Sequence, residues 1–410
     1  MMRIPVFFSY LLLCNFGFSQ EEVIKDTSKI EEKSASHFKV SGYIQTQFQI
    51  GEPAATLKVG GPNTNPNKNF NRIGIRRGRI KMQFEKGNVL GVFQLDATEK
   101  GVGVRDAYLK VNVPRFGTSS FQAGVFNRPF GYEVAFSSSR RETPERAMIN
   151  TTLFPDERDL GLMATFQTKK SSPWYLLKLD IGLFAGNSVH LETDNRKDLM
   201  SRLSFNKLFL SDVKLSGGIS YYYGGVYQGT ENVYTVSDKA FILNSKVSNV
   251  GEFAKREYVG IDAQLNFTTR IGKTKLYGEY IQGTQPGIQF NTKSPNSSAV
   301  PTSDTYIRSM RGGYFTFVQS ITDLPISLVA KLDWYDPNTQ VSRNEIGLGG
   351  SDYGDLMHQT LGLGVLWEIN ENLKMQAYYD FVQNEKSENL VLYKQDLNDN
   401  VLTIRLQYRF

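Results

Sequence analysis

At 410 residues the chain is long enough for a large core, yet hydrophobic residues reach only 40% while Gly (36), Tyr (21) and Phe (27) are plentiful. The net charge of +6 falls to +5 once Arg3 leaves with a leader (6 − 1), and no Lys/Arg block accompanies a nucleic-acid motif, so nucleic-acid binding is excluded. No apolar run after the leader approaches the ~18 residues of a spanning helix, which leaves alternating strands as the way this composition could meet a membrane.

Arg3 precedes an apolar run from Ile4 to Phe18, with Gly17 and Ser19 where a signal peptidase needs small residues. Residues 1–19 therefore read as a signal peptide cleaved after Ser19. Cys14, the only cysteine, lies inside it, and Leu13 is too bulky for the position before a lipoprotein cysteine. The mature chain thus has no disulfide and no reactive thiol. Residues 20–37 are charged and aperiodic, and read as a flexible periplasmic lead-in.

From residue 38 to 410 the sequence divides into sixteen alternating segments, at 38–50, 76–85, 88–98, 103–113, 120–126, 159–168, 174–186, 198–206, 213–224, 256–268, 273–283, 306–319, 325–335, 358–369, 373–383 and 400–410. In 174–186, Tyr175, Leu177, Leu179, Ile181 and Leu183 oppose Lys178 and Asp180. A strand sends successive side chains to opposite faces, and ~10 residues cross a bilayer when tilted. The connections alternate between short (Lys86–Asn88, Asn370–Asn372) and long (51–71, 127–158, 225–255, 284–305, 336–357). Outer-membrane barrels sort their loops this way and β-sandwiches do not. The expected fold is a 16-stranded antiparallel transmembrane β-barrel. The closing strand sets Leu402, Ile404, Leu406, Tyr408 and Phe410 on one face against Thr403, Arg405, Gln407 and Arg409 on the other, and its terminal Phe looks like a barrel-assembly signal.

Lys or Arg facing lipid at mid-bilayer costs ~2–4 kcal/mol, so charges of the opposite parity must face the interior. Arg77, Arg79, Lys81, Lys110, Lys178, Arg202, Lys331, Lys374, Arg405 and Arg409 belong there, with Glu85, Asp96, Asp106, Asp180, Asp262, Asp333 and Asp380. A charged interior implies water and a channel, and basic rings favour anions; the alternative is an Arg–Asp ladder that braces the wall. The 127–158 connection carries Arg128, Arg140, Arg141, Arg146 and Arg158 beside Glu133, Glu142, Glu145, Asp156 and Glu157, interleaved with Phe130, Phe136, Met148 and Phe154. That mixture suits a folded loop that enters the lumen and narrows it.

Nothing points to catalysis, metal or cofactor. His37, His190 and His358 stand in no triad or metal spacing, though His358 would be the candidate for a barrel hydrolase. Asp396–Asn400 lacks the Gly and terminal Glu of a calcium loop.

The runs Arg76-Arg77-Gly78-Arg79, Arg105-Asp106-Ala107-Tyr108 and Gly124-Val125-Phe126-Asn127-Arg128-Pro129-Phe130-Gly131-Tyr132-Glu133, with Glu145-Arg146-Ala147, Arg158-Asp159-Leu160-Gly161 and Trp334-Tyr335-Asp336-Pro337-Asn338, resemble the phosphate-selective porin O/P family across 38–410. The resemblance implies a trimeric outer-membrane porin whose arginine ladder and inward loop guide an anion. Arg77, Arg79, Arg128, Arg140, Arg141 and Arg146 are the positions that could play that part. The expected function is passive diffusion of small hydrophilic solutes with an anion preference. The alternative is a scaffold or adhesin with a plugged lumen and partner-binding outer loops.

Overall fold

The computed structural model describes residues 36–410 apart from residue 211, and of residues 208–210 the backbone only. The leader and the lead-in through residue 35 lie outside the described residues.

Among the described residues eighteen strands form one sheet. They are β1 (His37–Gly51), β2 (Phe70–Lys86), β3 (Val89–Thr98), β4 (Gly101–Asn112), β5 (Ser120–Asn127), β6 (Arg158–Phe166), β7 (Leu177–Phe184), β8 (Asp198–Leu210), β9 (Val213–Tyr227), β10 (Asn232–Ser237), β11 (Ala240–Ser245), β12 (Phe253–Thr269), β13 (Gly272–Gly287), β14 (Thr305–Ser320), β15 (Ile326–Asp336), β16 (His358–Glu368), β17 (Leu373–Asn384) and β18 (Val401–Arg409). The hairpin β10–β11 stands in the long connection between β9 and β12. The remaining sixteen strands pair antiparallel with their neighbours, and β18 closes on β1. Each corresponds to one of the sixteen segments read from the sequence.

Three local departures have physical reasons. Pro173 has no backbone N–H to give a ladder, and 173–176 form a 3₁₀ turn rather than the start of β7. The hairpin joins Val233–Thr235 in parallel to Thr305–Ile307, which raises the wall beyond the barrel. The third is a β-bulge. Arg77 lies opposite Gln45 and Ile75 opposite Thr46, so Arg76 is an extra residue in β2. It switches the parity of the strand, and β2 runs back to Phe70 instead of starting at 76.

The outward face is apolar: Ile261, Leu361, Leu363, Val365, Ile404 and Leu406 are all exposed. Tyr221 and Tyr223 stand towards the long-loop end of this belt and Trp367, Tyr408 and Phe410 towards the other. A closed barrel with an apolar band between aromatic girdles is built for lipid. The last residue extends the β1–β18 seam. Phe410 and Gly42 exchange backbone hydrogen bonds of 3.0 Å each way, and a Cβ on Gly42 would lie 2.5 Å from Phe410 Cζ.

The interior is not empty. The connection 128–157 folds inward with the short helix α1 (Met148–Leu153), and its side chains join the largest buried apolar cluster of the molecule.

Candidate functional site

The inward loop has two unlike faces. Phe130, Val134, Ile149, Leu153 and Phe154 are buried against Met200, Tyr222, Tyr258, Ile281 and Tyr314 of the wall. Their rings interlock: Phe130–Phe154 at 4.8 Å, Phe154–Tyr258 at 5.9 Å and Tyr222–Tyr258 at 4.9 Å. This packing runs along the wall from β8 through β14. Gly131 makes the turn that starts it, with φ 59°, and its N–H donates to Ser220 Oγ at 2.9 Å. Glu133 then organises α1: it accepts from Ala147 N at 2.8 Å and Asn150 Nδ2 at 3.0 Å while holding Lys331 Nζ at 3.0 Å. It takes the N–H of the N-cap residue Ala147, where the helix has no side-chain cap of its own.

The opposite face is a seam of ion pairs along β1–β6 and β18. Glu145 takes Arg76 (2.8 and 2.9 Å), Arg77 (3.4 Å) and Arg405 (2.6 Å). Asp96 takes Arg79 (3.0 Å) and Arg105 (3.3 Å), and Arg105 continues to Asp156 (3.3 Å). Glu157 bridges Arg146 and Arg158, and Arg158 reaches Asp106 at 2.9 Å. Burial pushes the Glu145 carboxyl up, but Arg76, Arg77 and Arg405 outweigh it and hold the group well below the usual carboxylate range. Arg146, Arg158 and Arg79 do the same for Glu157.

Beneath the loop, towards the short turns, cavities of about 760, 640 and 400 Å³ open. Lys39, Lys81, Lys110, Arg140, Lys374 and Arg409 line them. None of the six has a carboxylate within ion-pair distance among the described residues. Of the acids on these walls, Asp106, Asp180 and Glu142 are taken by Arg158, Lys178 and Lys275, while Glu368 and Glu371 line the 640 Å³ cavity beside Lys374 and Arg409.

The sequence-read cations therefore separate into groups. Lys81 and Arg140 stand free in the basic chamber. Arg79, Arg128, Arg146 and Arg202 reach a cavity wall but are tied to Asp96, Asp159, Glu157 and Asp262. Arg77, Arg405 and Lys331 are interior but buried, and they brace the loop from the wall. Arg141 is wholly buried and donates to the carbonyls of Thr143 and Pro144, so it fixes a bend of the loop. For these four, the expectation of charges facing solute gives way to bracing, because the carboxylates and carbonyls of the loop reach them first. His358 is on the inward parity of β16, opposite Leu361 and Leu363, and not on the lipid face a barrel hydrolase would need.

Parity counting missed Arg76 and Arg105. Each is the extra residue of a bulge: Asp106 lies opposite Gln94 and Val104 opposite Leu95, leaving Arg105 unpaired in β4. A bulge turns two successive residues to one face. The signal was present, since Ile73 and Ile75 share the outward face with Ile80, which regular alternation forbids.

No family model matches the sequence, and no curated protein matches it. Solved structures do match. The outer-membrane channel DcaP of Acinetobacter baumannii is 12% identical over 92% of this chain and 98% of its own, with a TM-score of 0.55. OmpF of Salmonella typhi is 12% identical over 91% and 97%, TM-score 0.54, and OprB of Pseudomonas putida 11% over 92% and 94%, TM-score 0.52. At such identities the likeness concerns fold. With the closed sheet and its apolar belt, it defines an outer-membrane β-barrel of porin-like channel fold.

Proposed function

We propose that the chain is a passive channel for small hydrophilic solutes, with an anion preference set on the short-turn side of the loop. The chamber of about 760 Å³ carries this reading, because Lys39, Lys81, Arg140 and Arg409 line it without carboxylate partners. Solute would occupy the cavities on the short-turn side of the loop, because the seam of ion pairs and the aromatic packing both hold the loop against the wall. Rings of Lys and Arg concentrate anions. Planar-bilayer recording across a salt gradient tests it: a reversal potential of the anion sign is expected, and a cation sign or no conductance refutes it.

A phosphate preference, which the family resemblance suggests, predicts that phosphate blocks chloride current at low concentration. Lys81 and Arg140 are the residues to test, in place of the braced Arg77. Unblocked current at millimolar phosphate would remove that refinement.

The proposal includes export by residues 1–19, assembly through the strand ending at Phe410 and a homotrimer. N-terminal sequencing should find Gln20 first, deletion of Phe410 should lower barrel yield, and cross-linking should give trimers. A second reading, a plugged scaffold, is favoured by the loop's grip on opposite walls: Gly131 N–H donates to Ser220 Oγ of β9 at 2.9 Å and Glu145 accepts from Arg76 of β2 at 2.8 Å, with further bonds from β17 and β18. Gln376 donates to the Glu142 carbonyl at 2.7 Å and Gln407 to that of Ser139 at 3.1 Å. Absent conductance with intact folding would select it.

A further inference from the structure

We propose that the outer rim of the barrel carries a site for the phosphate of an outer-leaflet lipid, built on Arg196. It does not depend on the channel reading.

The height of the site follows from the strands. On the outward face of β9, Leu215 and Ile219 are followed by Tyr221, Tyr223, Gly225 and Tyr227. On β12, Val259 and Ile261 give way to Glu257, Lys255 and Phe253. Tyr223 lies opposite Glu257, Gly225 opposite Lys255 and Tyr227 opposite Phe253. The apolar belt ends there in tyrosines and charges, which is the headgroup level of a bilayer.

Arg196, from the connection between β7 and β8, lies across this spot. Its guanidinium carbon is 5.6 Å from the Tyr223 ring centre and 5.3 Å from that of Phe253. Gly225 provides the slot, because a Cβ there would come within 2.9 Å of Arg196 Nε. The guanidinium lacks partners. Nε is buried with no acceptor, and Nη2 makes one long bond, 3.4 Å, to the Gly224 carbonyl. No carboxylate lies within ion-pair distance of it among the described residues, and Asp194 is occupied by the Arg196 backbone N–H at 2.8 Å. The neighbouring charges are satisfied: Lys255 holds Glu257, which also takes Tyr221 Oη at 2.6 Å, and Lys197 holds Glu192.

A cation thus stands over two rings at headgroup height, with one long hydrogen bond and no carboxylate on its Nη edge. The two rings hold the guanidinium in place through its charge, and its fork suits two phosphate oxygens.

The test uses the purified full-length mature barrel in detergent, with diphosphorylated lipid A, the same lipid after dephosphorylation and inorganic phosphate as probes of thermal unfolding. Diphosphorylated lipid A should raise the unfolding temperature, and the other two should not. Arg196→Gln should lose most of that shift, Arg196→Lys should keep part of it, and Gly225→Leu, which fills the slot while leaving Arg196 in the chain, should also lose it. Heat-modifiable gel mobility confirms that each variant is folded. An equal shift in wild type and Arg196→Gln overturns the site. So does a full shift with the dephosphorylated lipid. The same shift with inorganic phosphate would assign the site to a free anion and overturn the lipid.

Discussion

Glu145→Gln is the sharpest probe of how the loop is held. The side chain keeps its shape but loses the charge that neutralises Arg76, Arg77 and Arg405. The Arg77 and Arg405 side chains are 4% and 0% exposed, so both would be left as buried cations without a carboxylate. Breaking a buried pair costs about 3–5 kcal/mol. Glu145 itself is 21% exposed, which favours the lower end, ~3 kcal/mol. At ~1.4 kcal/mol per tenfold, the population with the loop lifted from the seam should rise by ~10². The barrel wall keeps its backbone ladder and should fold as before. Single-channel recording should then show larger and noisier conductance with a stronger anion preference, since one negative charge is gone and three positive ones are freed. Conductance, noise and selectivity equal to wild type, in a folded variant, would refute the idea that Glu145 pins the loop.

The remaining predictions concern pH, selectivity and closure. Glu145 and Glu157 lie on the loop with carboxyls held well below the usual range. A depressed carboxyl stabilises the folded loop above its unfolded value of about 4.3 and loses that effect as pH falls through the folded value. The part of any acid-induced conductance change that Glu145→Gln removes should therefore lie below about pH 4.3; finding that part centred above pH 5 would contradict this. Lys81→Ala with Arg140→Ala should shift the reversal potential towards cations without raising noise, because neither residue braces the loop; an unchanged potential would count against the basic chamber. Gly42→Val should place a side chain in the space of the Phe410 ring and the Arg79 carbonyl. Less heat-modifiable, protease-resistant barrel should result, and wild-type yield would show that the β1–β18 seam tolerates the bulk.

The sequence by itself determined the barrel, its sixteen strands and the side on which the long loops lie. Those features are carried by a period of two and by loop length, both local properties that survive without knowledge of any partner strand. It also marked most of the cations that face inward, because lipid rejects charge near mid-bilayer. It showed the 127–158 connection as a folded insertion through its mixture of Arg, Glu and Phe. What those inward cations do was decided only in three dimensions. Arg405 and Arg77 are separated by more than three hundred residues along the chain, and both meet Glu145 of a loop that belongs to neither strand. Lys81 and Arg79 share a strand and a parity, yet one stands free in a chamber and the other is bound to Asp96. Pairing depends on which acid the folded loop brings within about 4 Å, and alternation carries no information on that distance. The bulges at Arg76 and Arg105 fall between the two cases. Their parity switch is written in the flanking isoleucines and valines, but only the register with β1 and β3 shows that both arginines turn inward to hold the loop.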